Sequence, residues 1–116
     1  MNELEALRGK ISQFAAVRDW DKFHSPKNLS MALIAEAAEL VEHFQWLSEE
    51  ESSHLSADRQ AAVAHELADI LIYLVRIADR LGIDLAAAAH SKIEINEQRY
   101  PISKVRGDAR RASEYD

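Results

Sequence analysis

From Ala57 or Asp58 to Leu81 the chain runs without a glycine or a proline, and its apolar residues recur at helical spacing. Val63, Leu67, Ile70, Leu74, Ile77 and Leu81 share one stripe at about 100° per residue, which predicts a long helix with that stripe as its core face. A segment of this kind excludes an all-β fold, which needs turn residues at intervals of about ten. Gly82 ends the helix, because glycine accepts the left-handed backbone of a helix C-terminus. Beside the stripe runs a second row, Glu66, Asp69 and Tyr73, continued on that side by Arg76 and Arg80. Acids, then a phenol, then cations is the order expected of a site that grades from a metal to a phosphate.

The remaining segments are also helical. Leu4, Leu7, Ile11 and Phe14 give a core face to a helix from about Glu3 to Val17, which Gly9 weakens without ending. A further helix starts near Ser25-Pro26 or Asn28 and is expected to run to Leu47, with Leu33, Ala37, Leu40, Phe44 and Leu47 as its stripe. Ser25 or Asn28 caps it, and Pro26 is tolerated in the first turn. Glu36 and Glu39 lie at the edge of that stripe, and His43 and Trp46 share their side. In the polar stretch Ser48 to Ala57, Ser48 and Glu51 have capping-box spacing for a short helical turn, while Glu49, Glu50 and Glu51 read as solvated. Asp84 caps a last helix, Leu85 to about Arg99, with Lys92, Asn96 and Arg99 on one face, where pairing with Glu94 or Glu97 is the plain structural reading. Pro101 stops it. The expected architecture is all-α, a four-helix bundle-like domain over 1–102, followed by a polar tail over 103–116 with Lys104, Arg106, Arg110 and Arg111.

Between the first two helices lies Arg18 to Lys27, with Trp20, Phe23 and His24 close together. Phe23 is expected to seal the end of the core. For Trp20 and His24 sealing is balanced against stacking on a nucleobase, which aromatic rings beside a polar site perform.

Composition narrows the partners. A formal net charge of -6 makes the chain a poor general binder of nucleic acid or of an anionic membrane. With no cysteine there is no disulfide framework and no zinc–thiolate site. No run approaches the ~20 apolar residues of a membrane span, and the N-terminus lacks a signal-like apolar run, so a cytoplasmic protein is expected.

The chemistry concentrates in Glu36-x-x-Glu39 and Glu66-x-x-Asp69. A spacing of three puts each pair on one helical face. Either pair alone is ordinary surface charge. Together, on two long helices joined by a loop that lets them pack antiparallel, they would face one another across a groove. Like charge at that density needs a cation. All-oxygen donors favour Mg²⁺, with Mn²⁺ as a substitute, and the lack of a Glu-x-x-His pair argues against a di-iron bundle.

At these residues the sequence resembles the all-α nucleoside triphosphate pyrophosphatases of the MazG type, which carry Glu-x-x-Glu and, after a variable gap, Glu-x-x-Asp. Within them it is similar to the short dCTP pyrophosphatases. The resemblance rests also on Arg18-Asp19-Trp20 with Phe23-His24, Pro26 to Leu29, Phe44-Gln45-Trp46, Asp69 to Leu74, and Lys92 through Asn96 to Arg99-Tyr100-Pro101, and spans roughly residues 4–101. It implies that Glu36, Glu39, Glu66 and Asp69 hold Mg²⁺ and carry catalysis. It implies too that Trp20 and Trp46 line a base pocket with His24 close by, and that Tyr73, Arg80, Lys92 and Asn96 hold sugar and triphosphate. The implied reaction is dCTP plus water to dCMP and pyrophosphate, with 5-modified cytosine deoxynucleotides included. A dUTP-type or broad-specificity pyrophosphatase and a non-catalytic nucleotide- or metal-binding module are the alternatives. A homo-oligomer is implied, a tetramer rather than a dimer, with Ala35 to Ala38 and Ala86 to Ala89 as close-packing faces. The tail departs from the family pattern. Arg106-Gly107 is present, but Arg110, Arg111 and Tyr115 sit at another spacing, so no tail residue is assigned to the site.

Overall fold

The computed structural model describes residues 2–110 and 112–114, and among these it is all helix and turn, with no strand. The chain divides into two compact units, Met1–Ile83 and Asp84–Asp116.

In the first unit, α1 spans Glu3–Val17 and starts at Asn2, whose side chain accepts the Glu5 N–H at 2.8 Å. Asp19 then takes a left-handed φ of 55°, a conformation that a short polar residue adopts more readily than most. That turn sends the Trp20 N–H back to the Ala15 carbonyl at 3.0 Å and carries the chain into a 3₁₀ turn, Asp21–Phe23. Helix α2, Pro26–Glu42, has Ser25 as its cap, accepting the Asn28 N–H, and Pro26 at its start, where a missing N–H loses nothing. Helix α3, Glu49–Ser52, carries the reciprocal Ser48–Glu51 capping box. Helix α4, Ala57–Leu81, is capped by Ser56 and closed by Gly82 at φ 68°.

Helix α4 is the spine of this unit and packs on α2 and α1. Among the described residues the buried apolar ones are Ala15, Leu29, Val63, Val75 and Ala78. The stripe expected to be core is therefore only partly covered: Val63 is buried, but Leu67 is 52% exposed, and Leu74 and Leu81 are exposed as well. Phe14 and Phe23 are also exposed, so Phe23 does not seal the core. The apolar face of α4 is wider than the contact that α1 and α2 make with it.

Helix α2 ends at Glu42 rather than Leu47. No glycine or proline marks the break. The backbone tightens instead, with Phe44 N–H and Gln45 N–H both turning back to the Val41 carbonyl. The His43 carbonyl, freed from the helix, accepts from Arg59 Nη1 of α4 at 2.9 Å. A guanidinium from a neighbouring helix thus satisfies a helix end that the apolar periodicity would have continued.

In the second unit Asp84 accepts the Ala87 N–H at 3.0 Å to start α5, Leu85–Arg99. Pro101 precedes a short helix α6, Ile102–Val105, and a 3₁₀ turn follows at Ala112–Glu114. The tail is thus locally structured, with Arg110 Nε donating to Asp108 at 2.8 Å; Arg111 and Tyr115 lie outside the described residues. Among the described residues no helix is long and apolar enough to cross a membrane.

Candidate active site

The packing of α2 against α4 brings glutamates together from both. Glu36 and Glu39 lie one turn apart on α2 and Glu66 on α4, and one carboxylate oxygen from each falls within 4.8 Å of the others. Oε2 of Glu36 and Oε2 of Glu66 are buried without a hydrogen-bond partner. A buried carboxylate oxygen left unpaired is costly, so its persistence calls for a missing counter-charge. Without one, protons take that place. Glu36 is pushed up to about 7, first by sharing a hydrogen bond with Glu66, then by desolvation and by the adjacent Glu39. For Glu66 the hydrogen bond with Glu36 pulls downward, but desolvation, Glu39 and Asp69 outweigh it and the group ends above the ordinary carboxylate range. Three hard oxygen donors, two of them orphaned, fit a divalent cation of the Mg²⁺ or Mn²⁺ type. Asp69 stands outside this group of three; it lines the adjoining cavity with Glu36.

That cavity, of about 280 Å³, has walls from α1, the 3₁₀ turn, α2 and α4, with Phe14, Trp20, His24 and Tyr73 as its rings. Its floor includes Leu29, the most deeply buried large side chain. Phe14 takes the Arg18 guanidinium at 3.6 Å from its ring centroid and the Trp20 ring edge-on at 5.7 Å; Trp20 meets His24 edge-on at 6.1 Å. These contacts give Arg18 and Trp20 a local reason to accompany the strained Asp19 between them.

Behind His24 stands Arg76, only 3% exposed. Its Nε donates to His24 Nδ1 at 3.1 Å, its Nη2 to Asp21 at 2.5 Å and its Nη1 to Asp79 at 3.3 Å. Arg8 of α1 reaches the other oxygen of Asp79 at 3.3 Å. Arg76 is therefore committed inward and does not continue a phosphate-facing row. Arg80 donates its Nε to the His24 carbonyl at 3.1 Å and is absent from the cavity wall. Sequence reasoning did not single out Asp21 or Asp79 as partners of Arg76; the i, i+3 spacing of Arg76 and Asp79 was the one available signal.

One expected base contact is not gathered here. Trp46 lies in the turn after α2, is 86% exposed and is not part of the cavity wall, because the helix meant to carry it beside Glu39 has already ended. Lys92 is exposed and Asn96 half-exposed on α5, in the second unit.

The chain is 46% identical over 108 residues to the dCTP pyrophosphatase 1 of Rattus norvegicus, covering 91% of this chain and 64% of that protein. It is 44% identical over 113 residues to the dCTP pyrophosphatase 1 of Homo sapiens, covering 96% and 66%. The chain thus spans slightly less than two thirds of the length of either relative. Among solved structures it is similar to a pyrophosphatase from Archaeoglobus fulgidus DSM 4304, at 38% identity and a TM-score of 0.81, over 87% of this chain and 94% of that one. Residues 32–114, which include Glu36, Glu39, Glu66 and Asp69, match the profile of the MazG-like family, and the chain belongs to that family.

Proposed function

We propose that the protein is a cytoplasmic, Mg²⁺-dependent nucleoside triphosphate pyrophosphohydrolase that converts dCTP and water to dCMP and pyrophosphate. The observation that carries this reading is the Glu36, Glu39, Glu66 cluster with its two orphaned buried oxygens, adjoining a ring-walled cavity. The names of the mammalian relatives support the choice of substrate.

Glu36, Glu39 and Glu66 would hold the cation, with Asp69 on the cavity side. When bound, it would polarise phosphate oxygens, acidify the attacking water and neutralise the leaving pyrophosphate. The bond that forms joins water oxygen to the α-phosphorus; the bond that breaks joins that phosphorus to the bridging oxygen, which leaves with the β- and γ-phosphates. Glu36 or Glu39, as a cation ligand that also contacts the attacking water, would take its proton. Trp20, His24 and Tyr73 take the base and sugar in the cavity. Arg80, Lys92 and Asn96 take phosphate or sugar oxygens, and Trp46 serves the base.

We infer a homo-oligomer, a tetramer in preference to a dimer. The exposure of Trp46 at 86%, Ile34 at 68% and Leu67 at 52% supports it, since a chain of this size rarely leaves so much apolar surface in water. A neighbouring copy would bring Trp46 to a pocket that its own chain does not let it reach.

The test is a panel of triphosphates incubated with Mg²⁺, with monophosphate and pyrophosphate followed by chromatography. Release of dCMP and pyrophosphate with dCTP preferred is the expected result. Equal turnover of many triphosphates would leave the metal centre and remove the cytosine assignment. No turnover with either Mg²⁺ or Mn²⁺ would overturn the hydrolase reading in favour of a binding module.

A further inference from the structure

The Arg76–His24 contact determines which proton His24 carries. A guanidinium stays charged and is a donor only. Its Nε–H points at His24 Nδ1, so that nitrogen offers a lone pair, and the ring proton sits on Nε2. Among the described residues the Nε2 atom has no protein hydrogen-bond partner, and His24 lines the cavity, so Nε2 is open to whatever fills it.

We propose that Arg76 is a positioning residue for base recognition, holding His24 in one tautomer so that the cavity presents a fixed ring N–H donor to the pyrimidine edge. Resting on the hydrolase reading above, this adds how cytosine is told from thymine or uracil. Cytosine N3 is a lone-pair acceptor, whereas N3 of thymine and uracil carries a hydrogen that would meet the His24 donor head-on. A donor facing a donor leaves both desolvated and unpaired, which is the strongest form of selection a small pocket has.

The surroundings keep the arrangement rigid. Asp21 and Asp79 hold both Nη atoms of Arg76, and Arg8 holds Asp79 from α1. Arg80 fixes the His24 backbone carbonyl, and Trp20 packs edge-on to the imidazole. Burial is the first influence lowering the imidazole's proton affinity and the Arg76 charge the second; Asp21 opposes and Arg80 assists, while Glu36, Asp69 and Tyr73 share the cavity wall. The cavity, at about 280 Å³, is near the ~300 Å³ lower end of ligand sites and suits a base better than a whole nucleotide.

Two measurements test this. The first is a long-range ¹H–¹⁵N correlation spectrum of wild-type protein labelled at histidine. His24 should read as a single Nε2–H tautomer and remain so as the pH falls past about 6.5, where a free imidazole is half charged. An Nδ1–H form, or an average of the two, overturns the proposal without any variant. The second is the kcat/KM ratio for dCTP over dTTP in Arg76→Met and in wild type, with Mg²⁺. The ratio should fall at least 10-fold, through a raised KM for dCTP more than a lowered kcat. Hydrolysis with an unchanged ratio overturns the Arg76 role alone. Absence of any hydrolysis by wild type overturns the hydrolase reading, and the proposal falls with it.

Discussion

Two clusters of charge sit on the same helix, α4, and they are built on opposite principles. Around Glu66, three carboxylates crowd together and two of their oxygens find no partner. Around Arg76, a side chain with 3% exposure has all three of its nitrogens matched, to His24, Asp21 and Asp79. A satisfied cluster is a strut, because its charged groups already have their counter-charges. An unsatisfied one is a receptor, because its native arrangement is strained until something arrives. On the proposed function, the Glu66 end of α4 is where chemistry would occur and the Arg76 end is what would hold it in place.

The comparison breaks most visibly at the receptor end. Glu36→Gln or Glu66→Gln should lower turnover by roughly 100-fold or more, measured as pyrophosphate release at saturating Mg²⁺. The same substitutions should leave the metal-free protein folded, since they remove repulsion and not support. Its pH dependence has a definite sign. The Glu36 carboxyl sits at about 7 in the folded state against 4.5 for an ordinary glutamate, so between those values the folded chain holds a proton that the unfolded chain has released. The stability from this group is complete below about 4.5 and is lost as pH rises through about 7. Thermal midpoints of metal-free protein should therefore fall across that window. Mg²⁺ should restore them above it, and Glu36→Gln should flatten the fall. A metal-free midpoint that does not move with pH would show that the cluster is not strained.

At the strut end the effect is on folding. Arg76→Met removes the partner of the half-exposed Asp21 and one of the two cations on Asp79, which keeps Arg8, and should cost about 1–2 kcal/mol, read from urea unfolding at neutral pH. A loss well below 1 kcal/mol would mean that solvent already satisfies those acids and that the contrast with the Glu66 end is overdrawn. The smallest effect on the protomer lies at Trp46, outside both clusters. Trp46→Ala should change protomer stability by no more than ~0.5 kcal/mol, yet raise the KM for dCTP several-fold if a neighbouring copy receives the ring. No change in KM would remove Trp46 from the substrate site.

Much of the receptor was legible in the chain itself. The i, i+3 spacing of Glu36 and Glu39 at the edge of an apolar stripe sufficed to place them on one face near a partner helix, because helical periodicity is a local property. Caps at Ser25, Ser48, Asp84 and Gly82 were equally local, and each holds. The strut was not legible. Arg76 lies 55 and 52 residues after Asp21 and His24, and it looked like one more cation on a polar row. The end of α2 at Glu42 was hidden for the same reason, since it depends on a guanidinium arriving from Arg59.

By itself, then, the sequence determined the helices, their caps and the two acidic pairs, all of which depend on neighbours within a turn or two. Only the tertiary structure decided that Glu66 joins Glu36 and Glu39 while Asp69 turns to the cavity, that Arg76 faces inward to His24, and that Trp46 is left in solvent. Those outcomes depend on which helices meet and how much of each face the contact covers, and no run of consecutive residues encodes that.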